Sequence, residues 1–323
     1  YYSCKMIRFV VILFFFLYYN SLAQDVHFSQ FNETKTLINP ALVGYQDGDY
    51  KIQAQRRSQW GSVTVPFNTF SISLEVKNII KKLSFGVQLL NDIAGDSHFK
   101  TNGVTLSLSH NTKVNSSNNI SFGVLAGTYQ RSIDYSTLVF NETENIPNNN
   151  IDFFDVAIGF VHEIELNMSS TLISGVSLFH LNKPNQTLIG SDNIQLPINS
   201  KFHTSLIYYF NKKFQIKPTI YYSEQGESRE LIAGSFFNYV LNNSSAEMVV
   251  LRAGIFNRKN DAIITEFGVK IDNFDAMVSY DTNISSLNTA SDYKGGFEFS
   301  IAYQWSVLKS VKSNEIKVCP KYL

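Results

Sequence analysis

The stretch that decides the fold is Tyr293–Trp305, which reads YKGGFEFSIAYQW. Apolar and polar side chains alternate along it with a period of two, the periodicity of a β-strand whose two faces meet different environments. One face consists of Phe297, Phe299, Ile301, Tyr303 and Trp305, and the other of Glu298, Ser300, Ala302 and Gln304. Soluble β-sandwiches and membrane barrels both contain such strands. The number and length of similar stretches must therefore distinguish the two folds.

The same alternation recurs along the chain and predicts fourteen strands. Their predicted ranges are 48–58, 67–76, 82–92, 100–112, 119–130, 153–164, 169–180, 200–210, 213–222, 231–240, 248–257, 262–271, 274–283 and 293–306. Strands of soluble proteins average about five or six residues, whereas a tilted strand needs about 9–11 residues to cross a bilayer. Because the predicted strands have the greater length, the sequence indicates an all-β fold, a transmembrane antiparallel β-barrel of about 14 strands.

The connections between these strands alternate in length. The longer ones are 59–66, 92–99, 131–152, 181–199, 223–230 and 282–292, with 258–261 as a short exception. Outer-membrane barrels have long extracellular loops and short periplasmic turns, so this alternation supports the same fold. A barrel of this width needs a plug or holds a channel. The aperiodic segment Gln24–Gly44 is a candidate plug, and a periplasmic lead-in to the barrel is an equally compatible interpretation.

Composition limits the classes of function. The 27 basic and 27 acidic residues leave no net charge, which argues against a nucleic-acid partner. Only 17% of residues are charged while 14% are aromatic, a balance that suits a barrel facing lipid. Tyr208–Tyr209 and Tyr221–Tyr222 lie near predicted strand ends, where aromatic residues form the interfacial girdles of such barrels.

The first residues have the features of a secretory signal. Arg8 precedes the apolar run Phe9–Tyr19, and Ser21–Ala23 supplies small residues before a predicted cleavage after Ala23. Met6 is the expected translation start, with extra residues before it. Removal of this segment takes Cys4 with it and leaves Cys319 without a disulfide partner in the chain. Export without a disulfide fits the envelope of a Gram-negative cell.

These features divide the chain into four parts and place it in the outer membrane. We expect a signal peptide over 1–23, an irregular N-terminal segment over 24–47, an outer-membrane barrel over 48–306 and a periplasmic tail over 307–323.

The sequence contains no recognisable chemistry for catalysis, a cofactor or a metal. The histidines are His27, His98, His110, His162, His180 and His203. None of them lies at metal-ligand spacing from another. No nucleophile-elbow motif and no phosphate-binding glycine loop occurs. We therefore predict no catalytic residues, no cofactor and no metal site.

Several stretches at both ends of the chain match one known family. At the N-terminal end the matching stretches read QDVHFSQF, INPALVG, YKIQAQRRSQWGSV and PFNTFSISLE. At the C-terminal end they read DNFDAMVSYDTNISSLNTAS and YKGGFEFSIAYQW, followed by a tail that closes in VCPKYL. Together these stretches resemble the PorP/SprF family. One departure is Leu323, since the family usually stops at the preceding aromatic residue. The motif positions, to which no role is assigned and which can be structural, are Asn39, Pro40, Gln59, Trp60, Gly295 and Gly296.

This resemblance implies an outer-membrane β-barrel of the type IX secretion system of Bacteroidota, several of which are tied to gliding motility. It implies a non-enzymatic role in the secretion or surface anchoring of cargo proteins such as adhesins. The implied partners are a cargo with a C-terminal sorting domain, periplasmic and outer-membrane components of the secretion system, and outer-membrane lipid.

Two alternatives remain open on the sequence. One is a FadL-like outer-membrane channel for a hydrophobic small molecule, which rests on strand number and the candidate plug. The other is a secreted soluble β-sandwich adhesin, which the strand lengths disfavour.

Overall fold

The computed structural model describes residues 25–59, 61, 65–95, 97–134, 150–188, 194–243, 247–285 and 294–307. The predicted signal peptide, Trp60, Cys319 and residues 308–323 of the predicted tail lie outside these ranges. No described helix is long and apolar enough to cross a membrane.

Fourteen antiparallel strands form one closed barrel. They are β1 Tyr50–Gln59, β2 Phe67–Ile80, β3 Leu83–Ala94, β4 Phe99–Lys113, β5 Asn118–Ser132, β6 Asn150–Asn167, β7 Ser170–Phe179, β8 Asn199–Tyr209, β9 Phe214–Gln225, β10 Ser228–Asn243, β11 Met248–Arg258, β12 Ala262–Ile271, β13 Phe274–Asn283 and β14 Lys294–Trp305. Each strand pairs with its neighbours in sequence, and β1 also pairs with β14. The predicted fold and number of strands are confirmed. The largest differences from the predicted ranges lie at the ends of β2, β6, β9 and β10.

The two faces of the strands point as the alternation predicts. In β14, Phe297 and Phe299 are 52% and 42% exposed on the outer face, whereas Glu298 and Ser300 are 0% and 4% exposed inside. The apolar outer face suits the hydrocarbon core of a membrane. Arg56 is an exception, since it is exposed on the outer face of β1. It lies close to the end of its strand, where a long cationic side chain can reach the membrane surface.

The connections distinguish a short-turn end of the barrel from a long-loop end. The short-turn end carries the connections 81–82, 114–117, 168–169, 210–213, 244–247 and 272–273. The long-loop end carries 60–66, 133–149, 180–198 and 284–293, together with the shorter 95–98, 226–227 and 259–261. By analogy with other outer-membrane barrels, the short-turn end faces the periplasm.

The long connection predicted over 223–230 is wrong. β9 continues to Gln225 and β10 starts at Ser228, so only two residues connect them. Gly226 adopts a φ of 59°, which such a tight hairpin turn requires. The polar ends of both strands resemble a loop in sequence, but they pair with each other through Arg229 and Glu224.

Residues 25–46, the luminal segment, lie inside the barrel and confirm the predicted plug. The segment starts at the long-loop end, where Asp25 contacts His180 and Gln225. It ends at the short-turn end, where Gln46 donates a hydrogen bond to the main-chain carbonyl of Asp49. The segment is mostly irregular but contains the one-turn helix α1, Lys35–Ile38, and a 3₁₀ helix, Pro40–Leu42. A periplasmic lead-in is therefore the wrong interpretation.

Part of the lumen is apolar. Phe31 of the luminal segment packs against Tyr221 and Phe256, with ring centroids 5.4 Å and 5.5 Å away. The same cluster contains Ile38, Ala41, Leu42, Val161, Ile232, Phe236, Ile264 and Met277. Tyr221 therefore faces inward and is not part of an interfacial girdle, contrary to the prediction for Tyr221–Tyr222. An apolar side chain from the segment is what makes these inward-facing apolar residues compatible with the lumen.

The lipid exposure of the outer face gives a first prediction. Val124 lies on the outer face near the middle of β5, between Leu108 and Ile158 of the adjacent strands. We expect Val124→Arg to lower the free energy of unfolding by about 2–4 kcal/mol, because a cation at this depth is exposed to hydrocarbon. The measurement is urea unfolding in phospholipid vesicles. The control is Val114→Arg, at an exposed turn position, for which we expect a cost of about 0–1 kcal/mol. Equal costs at the two positions would contradict the membrane-spanning assignment.

Candidate functional site

The luminal segment and the wall that holds it form the most extensive polar site among the described residues. Its centre is an arginine–carboxylate cluster, defined as Arg57, Arg258, Asp281 and Glu298, all at most 5% exposed. Arg57 lies 3.0 Å from Glu298 and 3.2 Å from Asp281, measured between side-chain nitrogen and oxygen. Arg258 lies 3.2 Å from Asp281. Arg258 also pairs with Glu230 and Asp261. These ion pairs offset the cost of burying the charges.

The luminal segment completes this cluster through Ser29 and Gln30. The Ser29 hydroxyl donates to Asp281 over 2.5 Å and accepts from Arg57 and Arg258 over 2.9 Å and 2.6 Å. One donor and two acceptors are the full capacity of a hydroxyl group. The Glu298 carboxylate accepts from the main-chain N–H groups of Ser29 and Gln30. The cluster therefore binds the segment by its backbone as well as by its side chain.

A second contact surface is a glycine cradle, defined as Gly123 of β5, Gly159 of β6 and Gly175 of β7. A Cβ atom on Gly159 would lie 1.9 Å from the Asn39 Oδ1 atom, and one on Gly123 would lie 2.2 Å from the Ala41 nitrogen. Any side chain at these wall positions would collide with the segment. The absence of side chains lets the 3₁₀ helix approach the backbone of the sheet.

Asn39 fixes the segment in this cradle. Its Oδ1 atom accepts from the Ala41 N–H and so caps the 3₁₀ helix. Its Nδ2 group donates to the main-chain carbonyls of Phe160 and Val176, both over 3.0 Å. Pro40 occupies the first helical position, where its missing N–H group costs nothing.

Polar side chains of the wall satisfy the carbonyl groups of the luminal segment. The donors to Ile38, Ala41 and Val43 are the serine hydroxyls of Ser177, Ser121 and Ser109, respectively. Lys201 donates to the carbonyl of Leu37 over 2.7 Å. Since buried carbonyl groups need such partners, the inward-facing serines form a docking surface for backbone.

Charge also anchors the start of the segment. The Asp25 carboxylate lies 2.6 Å from one ring nitrogen of His180, and the Asp155 carboxylate lies 3.0 Å from the other. Burial opposes protonation of the ring, but the two carboxylates outweigh it and raise the pKa of His180 to about 9. Burial would raise the pKa of Asp25, but protonated His180 and Lys201 lower it well below its usual value. Both groups are therefore charged at neutral pH.

The structure divides the predicted motif positions between these two surfaces. Gln59 accepts hydrogen bonds from Arg57 over 3.0 Å and 2.6 Å, and pairs across strands with Gly296. A Cβ atom on Gly295 would lie 2.1 Å from the Asp281 carbonyl oxygen, at the irregularity in β13–β14 pairing. These three positions surround the arginine–carboxylate cluster, whereas Asn39 and Pro40 lie in the glycine cradle. Trp60 is outside the described residues.

Sequence analysis did not identify the four charged members of the cluster or Ser29. A usable signal was present for three of the four charges, because they lie within stretches that resemble the family: Arg57 in AQRRSQW, Asp281 in VSYDTN and Glu298 in GGFEFS. Arg258 lies outside these stretches. Charged residues on the inward face of adjacent strands need partners. Among the described residues, no group of three or more histidine, cysteine or acidic side chains is arranged to hold a metal ion.

A closed fourteen-strand barrel with an apolar outer face and a segment of its own chain in the lumen defines a plugged outer-membrane β-barrel. The profile of a family described as type IX secretion system membrane protein PorP/SprF matches residues 20–303. The chain belongs to the PorP/SprF family and is a membrane component of the type IX secretion system. No curated protein matches the chain.

Two solved structures with a similar fold are described as toluene transporters. The toluene transporter TbuX of Ralstonia pickettii has a TM-score of 0.52 at 10% identity, over 83% of this chain and 92% of that one. The toluene transporter TodX of P. putida has a TM-score of 0.51 at 11% identity, over 84% of this chain and 94% of that one. At such low identity the likeness establishes the fold, which is FadL-like, and nothing about substrate.

The arginine–carboxylate cluster provides a prediction with a control at the adjacent residue. We expect Arg57→Gln to lower the free energy of unfolding by about 3–5 kcal/mol, because it leaves Glu298 and Asp281 short of a buried cation. Arg56→Gln removes the same charge from the outer face, where Arg56 makes no ion pair with the described residues, and should cost less than about 1 kcal/mol. Urea unfolding in vesicles measures both. A similar cost for the two variants would show that the cluster does not stabilise the barrel.

The glycine cradle provides a further prediction. Gly159→Ala places a methyl group against Asn39 and should displace the 3₁₀ helix, so that amide hydrogen exchange over residues 36–46 becomes at least about tenfold faster. Hydrogen-exchange mass spectrometry measures the change. Gly61→Ala is the control, because its methyl group would lie 3.5 Å from the nearest Pro66 carbon, an ordinary contact. Unchanged exchange in Gly159→Ala would mean that the segment does not lie in the cradle.

The His180 anchor predicts a pH dependence. The folded pKa of His180, about 9, is above the ordinary value of 6.5, so this contact contributes its full stabilisation below pH 6.5 and loses it as pH rises through about 9. Exchange of the amides near Asp25, corrected for intrinsic rates, should therefore be faster at pH 9.5 than at pH 6. In His180→Gln the difference between the two pH values should vanish. A difference that persists in this variant would assign the effect to another group.

Proposed function

We propose that this barrel is required for the secretion or surface anchoring of cargo proteins, and that it acts by binding the C-terminal sorting domain of a cargo. The observation that carries the proposal is the family match, which spans both the luminal segment and the barrel. The role is non-enzymatic, and a gliding-motility adhesin is the expected type of cargo. Periplasmic and outer-membrane components of the secretion system are the other expected partners.

The lumen supports a binding role over a conducting one. The luminal segment is hydrogen-bonded to strands on several sides of the barrel, through Glu298 of β14, Gln88 of β3 and Ser177 of β7. A solute or polypeptide that crossed the lumen would have to displace these contacts and leave buried polar groups without partners. A barrel that keeps its plug can still present its outer ends to a folded partner.

The alternative, a channel for a hydrophobic small molecule, fits the lumen less well. The two larger luminal cavities, of about 440 Å³ and 460 Å³, share the charged side chains of Lys35, Asp47 and Lys217. Binding sites for apolar ligands are lined predominantly by apolar and aromatic side chains. The toluene transporters named above share the fold of this chain, but the charged lining does not suit a ligand of that kind.

Gene deletion tests the proposal. A reporter fused to a C-terminal sorting domain should reach the cell surface in the parent strain and accumulate in the periplasm of the deletion strain. Expression of the wild-type chain should restore export, since the defect follows from loss of the barrel. Surface labelling and cell fractionation measure the distribution.

A reporter without the sorting domain serves as the control and should remain in the periplasm of both strains. Unchanged surface display of the sorting-domain reporter in the deletion strain would refute the proposed role.

A further inference from the structure

The cavity of about 460 Å³ at the short-turn end of the barrel, here called the basic cavity, has an excess of positive charge. It is lined by seven cationic side chains, those of Lys35, Lys51, Lys212, Lys213, Lys217, Arg252 and Lys270. Its acidic side chains are those of Glu33, Asp47 and Asp275. The second cavity, of about 440 Å³, shares Lys35, Asp47 and Lys217 with it and adds Lys77 and Glu163. The excess of cations is therefore a property of this end of the lumen.

The three carboxylates of the basic cavity are already engaged. Arg252 lies 2.7 Å from both Glu33 and Asp275, and Lys270 lies 2.6 Å from Asp47. Glu33 and Asp47 belong to the stretch of chain that leads through the lumen into β1. The wall thus already binds carboxylates that a polypeptide brings to it.

Two of the inward-facing lysines that line the cavity have neither a carboxylate nor any other hydrogen-bond partner for their side chains. The side chain of Lys51, only 4% exposed, makes no hydrogen bond or ion pair with any described residue. The same holds for the side chain of Lys217, on which the more distant carboxylates of Glu33 and Glu266 act through charge alone. The cross-strand neighbour of Lys51 is Glu75, whose carboxylate accepts from the Gly44 N–H. Burial and the charge of Lys51 lower the pKa of nearby Lys35 to about 8. Buried ammonium groups without partners are costly, so an anion in the cavity would be stabilised by them.

We propose that the basic cavity binds the carboxylates of an acidic polypeptide segment that enters from the periplasm. A polypeptide fits better than one compact anion, because the cations come from α1, β1, β9, β11, β12 and the turn 210–213 and are spread along the cavity. The exposed Lys212 and Lys213 lie in that turn, where they meet an approaching chain first. The proposed binding of this acidic segment does not depend on the proposed binding of a cargo sorting domain.

The test uses the full chain purified in a non-ionic detergent. The probe is a fluorescein-labelled peptide in which glutamate and serine alternate, and its counterpart has glutamine in place of glutamate. Fluorescence anisotropy should show binding of the glutamate peptide alone, with an affinity that falls as salt is added. The double variant Lys51→Gln/Lys217→Gln should bind it at least about tenfold more weakly, because it loses the two unpaired cations.

The control is Lys81→Gln/Lys113→Gln, which removes the same charge from exposed positions at the same end, outside both cavities. It should bind like the wild-type chain. Equal weakening in the two double variants would reduce the effect to net charge and overturn the proposal. Inorganic phosphate that binds where the peptide does not would identify a small-anion site instead.

A third double variant keeps the test decisive if Lys51→Gln/Lys217→Gln fails to fold. Lys212→Gln/Lys213→Gln changes only an exposed turn and should still weaken peptide binding relative to the Lys81→Gln/Lys113→Gln control. Binding that is unaffected in this variant, together with a misfolded Lys51→Gln/Lys217→Gln chain, would also count against the proposal. Heat-dependent migration in gels establishes whether each barrel is folded.

Discussion

The structure depends on one constraint: the charged groups buried at the long-loop end of the lumen need partners, and the luminal segment supplies some of them. Arg57 and Arg258 bind Asp281 directly, and Arg57 also binds Glu298. The Ser29 hydroxyl lies between the two arginines and Asp281 and adds a hydrogen bond to each of the three. Removing one partner from such a buried group costs about 3–5 kcal/mol. The luminal segment is therefore part of the fold of the barrel and not an insertion that the barrel tolerates.

The same constraint explains the other contacts of the segment. Its carbonyl groups need donors, and inward-facing serines supply them at Ser109, Ser121 and Ser177. Its 3₁₀ helix needs space, which the glycine cradle provides. Its apolar residue Phe31 needs apolar neighbours, and Tyr221 and Phe256 provide these. The serine, glycine and aromatic residues on the inner face of the wall thus each contact a different part of the segment.

The sequence predicted the barrel well because lipid imposes a simple rule. Every other residue of a spanning strand must be apolar, so the period of two in Tyr293–Trp305 and in its counterparts located all fourteen strands. The ends of the strands were predicted less accurately, because the rule no longer applies outside the membrane. The polar residues around Gly226, for example, continue a hairpin although they resemble a loop in sequence. For the plug, the sequence indicated which segment fills the lumen but not which residues of the wall it contacts.

The details of the site could not be predicted because they depend on which residues become neighbours when the barrel closes. Nothing in the local pattern says that the glycine at 159 leaves room for Asn39, or that Ser29 meets charges from β1, β11, β13 and β14. The resemblance selected Gln59, Gly295 and Gly296, yet the chemistry lies in the charged residues that they surround.

Closure of the barrel also explains why the recognisable stretches lie at the two ends of the chain. β1 pairs with β14, and this pairing sets Arg57 directly opposite Glu298. Residues near the two termini therefore form a single structure with the start of the luminal segment. At this long-loop half of the lumen each arginine of the cluster is paired with carboxylates. At the short-turn half the wall carries more cations than carboxylates. The excess of positive charge therefore lies at the end of the lumen that faces the periplasm.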